Sequence, residues 1–374
     1  MDGLLDRELF LLEQSENYRV LDRFSGVNFE LDFGHNDYLC LSKDARVKEN
    51  AMHYLEKYGA GGTASRLCVN TDIYKEFENK IAHCIGGGRA IFMCSGYQVN
   101  STLIPAILGL FPRDDIDIFS DKLNHNSILH GLSMANLPVK RYGNIDLNHL
   151  EFFLKKSTKK YKMVITESVF SMDGTVLELQ NLLFLKEKYG LMIYLDEAHS
   201  FGLYGKNGYG FAEDFPGIDF AMGTFSKAGG AQGGYVVVPE KMYKYLVNKT
   251  PGLIYSTAVN PAVIGAGMKV LEILPRMQAA RQHLSENVKF FRKSLANIGY
   301  SVGSGTANIV PVIFENRTNL NNFHKYLVEN KIFALNIKHP TVPKNLERVR
   351  FSLNISHGVS DLINVVNLCK SWEK

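Results

Sequence analysis

Five consecutive apolar residues, Leu191-Met192-Ile193-Tyr194-Leu195, constrain this 374-residue chain more than any other stretch. A strand with no polar alternation has no face for water. It must lie in a sheet covered on both sides, as the strands of parallel sheets do. Residues 90–94, 116–120 and 163–166 read as further strands of that sheet. Helical patterns separate them, so strands and helices alternate over residues 90–238. The expected architecture is α/β, a mostly parallel sheet with helices on both faces.

On the amino-terminal side, Leu4, Leu5, Leu9 and Leu12 recur at helical spacing and predict an amphipathic helix lying on the body of the protein. Strand-like alternation over residues 29–33 leads to a turn at Asn36-Asp37-Tyr38-Leu39. A helix over residues 44–58 stops at the cluster Gly59-Ala60-Gly61-Gly62, read as opening a flexible loop, and another helix covers residues 74–85. From about Asn260 the texture changes to a long helical stretch reaching Ile298, followed by short strands over residues 309–314 and 349–353. These readings divide the chain into an N-terminal segment (1–45), a large α/β domain (46–258) and a smaller C-terminal α+β domain (259–374).

The net charge of +4 gives no reason to expect nucleic acid, and it is compatible with a phosphate or carboxylate substrate. Cys40, Cys68, Cys84, Cys94 and Cys369 show no CxxC spacing and read as buried thiols in a reducing compartment. The first residues carry acids where a secretion signal carries bases, and no apolar run is long enough for a membrane span. The expectation is a cytoplasmic protein.

The chemistry follows directly on the opening strand. Asp196-Glu197-Ala198-His199 leads into a glycine-rich segment and then to Thr224-Phe225-Ser226-Lys227. An acid at a buried strand end can hold a pyridine nitrogen protonated and so make the ring an electron sink. A histidine one turn further can bond a ring hydroxyl, and a lysine can condense with an aldehyde. Ser95-Gly96-Tyr97, where a strand passes into a helix, offers free N–H groups to a phosphate, and Thr224 adds a hydroxyl. His125 lies just past a strand end, where α/β sheets hold ligands.

Three other readings are weaker. Asp-Glu-Ala-His is also a helicase box, but it needs a GxxxxGK[ST] loop and the chain has none. A metal on Asp196, His199 and His125 leaves Lys227 without a role. Gly59, Gly61 and Ala64 fit a dinucleotide fingerprint in spacing, but they follow a helix where a strand is required.

Nearly the whole chain resembles the α-oxoamine synthase family. The resemblance is carried by Asn36-Asp37-Tyr38-Leu39, Asn124-His125, Thr166-Glu167-Ser168-Val169-Phe170-Ser171-Met172-Asp173-Gly174, Asp196-Glu197-Ala198-His199 and Thr224-Phe225-Ser226-Lys227. Members are fold-type I pyridoxal-phosphate transferases that join an amino acid to an acyl thioester with loss of carbon dioxide. The resemblance implies a pyridoxal 5'-phosphate cofactor, a homodimer with its active site at the interface, and an acyl-CoA or acyl-carrier-protein thioester as substrate.

Carried over residue by residue, Lys227 condenses with the cofactor aldehyde, Asp196 meets the pyridine nitrogen and His199 the ring hydroxyl. His125 stacks on the ring and Ser171 lies beside it. Gly96, Tyr97 and Thr224 hold the phosphate, with Ser256 or Thr257 reaching in from a partner subunit. Arg350 clamps the substrate carboxylate, and Arg19 matches a substrate-side arginine. Without the resemblance, Arg350 would read as a surface strand arginine.

Within the family, Leu253-Ile254-Tyr255-Ser256-Thr257-Ala258 and Thr341-Val342-Pro343-Lys344 are most similar to the biotin-forming branch, which uses alanine and a pimeloyl thioester. Synthases of acyl aminoketone signals, of 2-amino-3-ketobutyrate and of sphingoid bases are the alternatives, together with a non-catalytic regulatory subunit. The chain departs from the family in its short N-terminal segment, in a loop one residue shorter after Arg66, in Tyr74 where histidine is common, and in Asn260 where a proline is usual.

Overall fold

The computed structural model describes residues 1–21 and 24–372. The chain enters through helix α1 (Asp2–Gln14) and the two-residue strand β1 (Leu31–Asp32), then α2 (Ala45–Tyr58) and α3 (Ile73–Cys84). Next come β2 (Arg89–Met93), α4 (Gly96–Leu108), β3 (Ile116–Asp121), α5 (Asn126–Ala135) and β4 (Val139–Tyr142). Strands β5 (Tyr161–Glu167), β6 (Met192–Asp196), β7 (Phe220–Thr224) and β8 (Gly234–Val238) complete one seven-stranded sheet, ordered β2-β8-β7-β6-β5-β3-β4. Its neighbours pair in parallel except β8, which is antiparallel to both β2 and β7.

Successive strand residues face opposite sides of a sheet, so a strand covered on both sides is apolar throughout. Met163 and Ile165 pack into one core with residues of α4 and α5, while Val164 packs into another. Ile91 and Met93 share the first of these cores, and Ala90 and Phe92 face α2 and α3. The strand expected over residues 191–195 begins one residue later, because Gly190 closes the preceding helix in a left-handed conformation and Leu191 completes the turn. Asp196 is therefore itself a strand residue, opposite Glu167 in the register.

A second core surrounds the antiparallel sheet β11-β12-β9, formed by β9 (Ile309–Phe314), β11 (Leu335–Ile337) and β12 (Glu347–Ser352). Strand β10 (Ile332–Phe333) pairs with β1, and Phe33 packs into this core, so part of the N-terminal segment belongs to the C-terminal unit. The long helical stretch is two helices, Pro261–Ile273 and Gln278–Asn297, joined by a 3-10 turn over Leu274–Met277 that contains Pro275. Ile264, Val270 and Leu271 of the first helix lie in a core of the large unit. We therefore propose a boundary within Leu274–Met277 in place of residue 259.

Three expectations need correction. Helix α1 forms, but none of its residues is buried, and Leu4, Leu5, Leu9 and Leu12 are exposed. The apolar stripe specified a helix, while the surface to cover it is not supplied by this chain's body. The segment after Gly59 is not a free loop. Ala258 N donates to Ala64 O at 2.8 Å, Ser65 bridges to Thr257, and Asn260 Nδ2 donates to Ala60 O. The cysteines are also less enclosed than expected: all five are unpaired, but only Cys369 is buried, while Cys40, Cys84 and Cys94 are half-buried and Cys68 is exposed. Among the described residues no helix is long and apolar enough to cross a membrane.

Candidate active site

Asp196 is the last residue of β6 and is buried. Its Oδ2 accepts from Asn100 Nδ2 at 2.7 Å and its Oδ1 from Ala198 N at 2.9 Å. His199 is buried one turn further, with Nδ1 2.8 Å from Tyr38 OH. Burial, and then the charges of Lys227 and Arg350, hold its pKa well below the usual histidine value, so its imidazole is neutral. His125 forms the N-cap of α5: its Nδ1 lies 3.2 Å from Ser127 N and 2.8 Å from Ser127 Oγ. Its main-chain N–H donates to Glu167 Oε1 at 2.5 Å. Burial also lowers the His125 pKa, against the pull of Asp196.

Lys227 follows β7 and is half-buried. Burial brings its amine down to about 8, opposed by Asp196 and Glu167 and aided by Arg350. At that value about a tenth of the amine is unprotonated at pH 7. Glu167 is fully enclosed, and desolvation followed by the Asp196 charge pushes its carboxyl well above the ordinary range.

Arg350 reaches this cluster from β12 of the C-terminal unit. It is buried, which removes the reading as a surface strand arginine. Nη1 donates to Ser171 O at 3.1 Å, and Nη2 donates to Asn36 Oδ1 at 2.8 Å and to Ser352 Oγ at 3.1 Å. Its buried Nε has no partner among the described residues. Two residues before it, Arg348 donates to Met172 O at 3.0 Å and to Asp173 Oδ1 at 2.5 Å. The loop leaving β5, with Ser171, is thus held by two arginines of one strand face. Asn36 Oδ1 also lies 3.2 Å from Tyr38 OH, so the Asn36-Asp37-Tyr38-Leu39 turn joins Arg350 to His199.

Helix α4 begins at Gly96, with Ser95 Oγ capping Gln98 N at 3.1 Å. That leaves the N–H groups of Gly96 and Tyr97 without an acceptor among the described residues, at the positive end of a helix dipole. A Cβ at Gly96 would stand 2.8 Å from Met222 Cε and 3.4 Å from Thr224 Cβ, so the helix start lies hard against the end of β7. Thr224 Oγ1 donates to Gly233 O at 2.7 Å, and Tyr97 OH lies 3.0 Å from His130 Nδ1. A cradle of N–H groups, a buried carboxylate, a neutral histidine and an amine of lowered basicity fit a pyridine aldehyde carrying a phosphate.

Three candidates stand apart within one chain. Ser256 is half-buried and Thr257 exposed, and Thr257 O accepts from Cys94 Sγ at 3.9 Å. Arg19 is exposed in the segment after α1, and no contact among the described residues ties it to the cluster. Sequence reasoning also passed over Asn100 and Arg348 and gave Tyr38 and Glu167 no role. Asn100 had a signal, a polar residue on the apolar face of α4. The contacts of Tyr38 and Arg348 span more than 150 residues of sequence and leave no local pattern.

Comparison with known proteins agrees with this geometry. The aminotransferase class I and II family matches residues 30–362. A Bacillus cereus (strain Q1) protein named "Putative 8-amino-7-oxononanoate synthase" is 42% identical over 361 residues, covering 95% of this chain and 90% of its own length. Among solved structures, serine palmitoyltransferase of Sphingomonas wittichii superposes with a TM-score of 0.87 at 25% identity, over 99% of this chain and 96% of that one. The 8-amino-7-oxononanoate synthase of Francisella tularensis gives a TM-score of 0.78 at 28% identity, over 91% of this chain and 96% of that one. The chain therefore belongs to the aminotransferase class I and II family, and within it to the α-oxoamine synthases, fold-type I acyltransferases that depend on pyridoxal phosphate.

Proposed function

We propose that this chain condenses L-alanine with a pimeloyl thioester, on coenzyme A or an acyl carrier protein, giving 8-amino-7-oxononanoate, carbon dioxide and free thiol. The observation that carries this reading is the meeting of Lys227, Asp196 and His199 with the buried guanidinium of Arg350 in one electrostatically coupled cluster. The names of the Bacillus and Francisella relatives support the choice of acyl chain.

Bound pyridoxal phosphate supplies an aldehyde for the amino group and a ring that accepts the electron pair released at Cα. Gly96, Tyr97 and Thr224 would hold its phosphate, with Asp196 at the ring nitrogen, His199 at the ring hydroxyl, His125 across the ring face and Ser171 beside it. Arg350 binds the substrate carboxylate with its planar fork and so orients the amino acid. Lys227 takes the proton from Cα and returns one to the same carbon once carbon dioxide has left. A pKa of about 8 suits both directions at neutral pH. Neutral His199 can donate from Nε2 when Tyr38 turns its single hydroxyl hydrogen to Nδ1 in place of Asn36 Oδ1.

We further propose a homodimer in the cytoplasm, in which Ser256 or Thr257 completes the partner's phosphate site. The 85% exposure of neighbouring Tyr255 and the exposure of Thr257 support an interface there. Arg19 stays outside this proposal.

The purified protein should be yellow, and borohydride should label Lys227, with Lys227→Ala losing both the colour and the label. A panel of alanine, glycine and serine crossed with thioesters of several chain lengths then identifies the substrates. Turnover of glycine with acetyl-CoA, without turnover of alanine with pimeloyl thioester, would exclude the substrates proposed.

A further inference from the structure

Asn100 touches two chains of hydrogen bonds that end in the site, and nothing above gives it a role. It is buried on α4, on a face otherwise made by Val99, Leu103, Ile104 and Ile107. A buried amide is destabilising unless its donors and acceptor are met. Here Oδ1 accepts from Tyr194 OH at 2.7 Å, and Nδ2 donates to Asp196 Oδ2 at 2.7 Å and to Ser127 Oγ at 2.9 Å. The opposite amide orientation would set its oxygen against the Asp196 carboxylate, so these partners determine which way it points.

The direction propagates. Ser127 Oγ accepts from Asn100, which leaves its own hydrogen for His125 Nδ1 at 2.8 Å. Ser127 N approaches the same ring nitrogen at 3.2 Å. A nitrogen that accepts from two donors carries no hydrogen, so neutral His125 carries its hydrogen on Nε2. Asp196 in turn is faced by Glu167 from β5, by His125 at the start of α5, by Lys227 after β7, by Tyr235 on β8, and by Tyr194 and Glu197 along its own segment. Asn100 is the neutral group that bonds to it directly and at the same time reaches the histidine branch.

We infer that Asn100 is a positioning residue: one side-chain amide aligns the Asp196 carboxylate and, through Ser127, fixes the tautomer of His125. Its catalytic consequence rests on the pyridoxal-phosphate reading of the site. The link from Asn100 through Ser127 to His125 does not.

Two substitutions test it. Asn100→Ala removes every contact. Asn100→Asp keeps the shape; as a neutral acid it can donate to Asp196 and accept from Tyr194, while ionised it sets a second charge against Asp196. In holoenzyme, Asn100→Ala should lower kcat about 10- to 150-fold, the range for losing a hydrogen bond to a charged group, with the amino-acid KM moving less than about threefold. Asn100→Asp should keep more activity at low pH and lose it as pH rises, through an ionisation that neither wild type nor Asn100→Ala shows.

Nitrogen NMR of the histidine rings, assigned with His125→Gln, should show one Nε2–H form for His125 in wild type and a mixture in Asn100→Ala. If Asn100→Ala does not fold, the same spectrum and the pH profile of the near-isosteric Asn100→Asp decide. Equal loss of kcat in both variants at every pH, with the His125 signals unchanged, overturns the inference. A wild type that binds no pyridoxal phosphate would instead refute the cofactor reading, and the nitrogen spectrum would then decide the Asn100 link alone.

Discussion

Replacing Arg350 by lysine preserves the charge and removes the fork. In the native site the two terminal nitrogens point to different acceptors, Nη1 to Ser171 O at 3.1 Å and Nη2 to Asn36 Oδ1 at 2.8 Å. A single ammonium cannot meet a carboxylate through two parallel N–H bonds while holding both walls of the site. A hydrogen bond to a charged partner contributes about 1.5–3 kcal/mol, so one lost bond lowers kcat/KM for the amino acid roughly 10- to 150-fold. The KM for the acyl thioester should move less than about threefold, because that substrate has no carboxylate on Arg350. Steady-state kinetics with each substrate varied in turn separates the two. A loss shared equally by both substrates, or a change in amino-acid kcat/KM below about threefold, would refute the clamp.

Gly96→Ala adds a Cβ 2.8 Å from Met222 Cε at the helix start, and it should raise the cofactor dissociation constant about tenfold by equilibrium dialysis, the effect of disturbing one charge-assisted N–H contact. An unchanged constant would separate Gly96 from the phosphate. Tyr38→Phe removes the hydroxyl 2.8 Å from His199 Nδ1, and the pH midpoint of the cofactor's visible absorption should move by about half a unit or more; a superimposable titration would leave Tyr38 with packing alone. Burial raises Glu197 from the usual 4.5 to about 8, against hydrogen bonds from Phe211 N, Ala212 N and Ser200. The folded state then keeps a proton that the unfolded chain releases above 4.5, so stability falls as pH rises from there to 8. Glu197→Gln lacks this dependence, and its advantage over wild type in the free energy of denaturant unfolding should grow by roughly 3–4 kcal/mol between pH 5 and pH 8. A gap that stays constant with pH would show that the carboxyl is ionised throughout.

The parts of this molecule that could be read from the sequence are those whose cause is local. Residues 90–94, 163–165 and 191–195 announce a doubly covered sheet because each faces a core on either side and so has no charged or hydroxyl-aliphatic residue to show. For the same reason they cannot announce direction: Gly234–Val238 is as apolar as its neighbours and runs antiparallel to both. Asp196, His199 and Lys227 were legible because a strand end and the turns after it keep chemical groups together along the chain. The Arg350–Asn36 contact spans 314 residues, and only the folded chain creates it. Helix α1 shows the converse, since its leucines specify a helix but not a neighbour.

The site's two ends are therefore set by different kinds of structure. The proposed cofactor end draws on the segments that leave the carboxyl ends of β2, β3, β5, β6 and β7, within one sheet. The substrate end depends on strand β12, whose register is set by Arg350 opposite Pro311 and Arg348 opposite Ile313 of β9. Alternation along that strand sends Val349 and Phe351 into the second core and sends Arg348 and Arg350 to the loop that carries Ser171. A slip of one residue would exchange the faces, burying two guanidiniums among Val310, Val312 and Phe323 and taking the carboxylate clamp out of the site. The apolar packing of the C-terminal unit is thus what keeps the arginine in place, and under the clamp proposed for Arg350 amino-acid binding depends on residues that never approach the substrate.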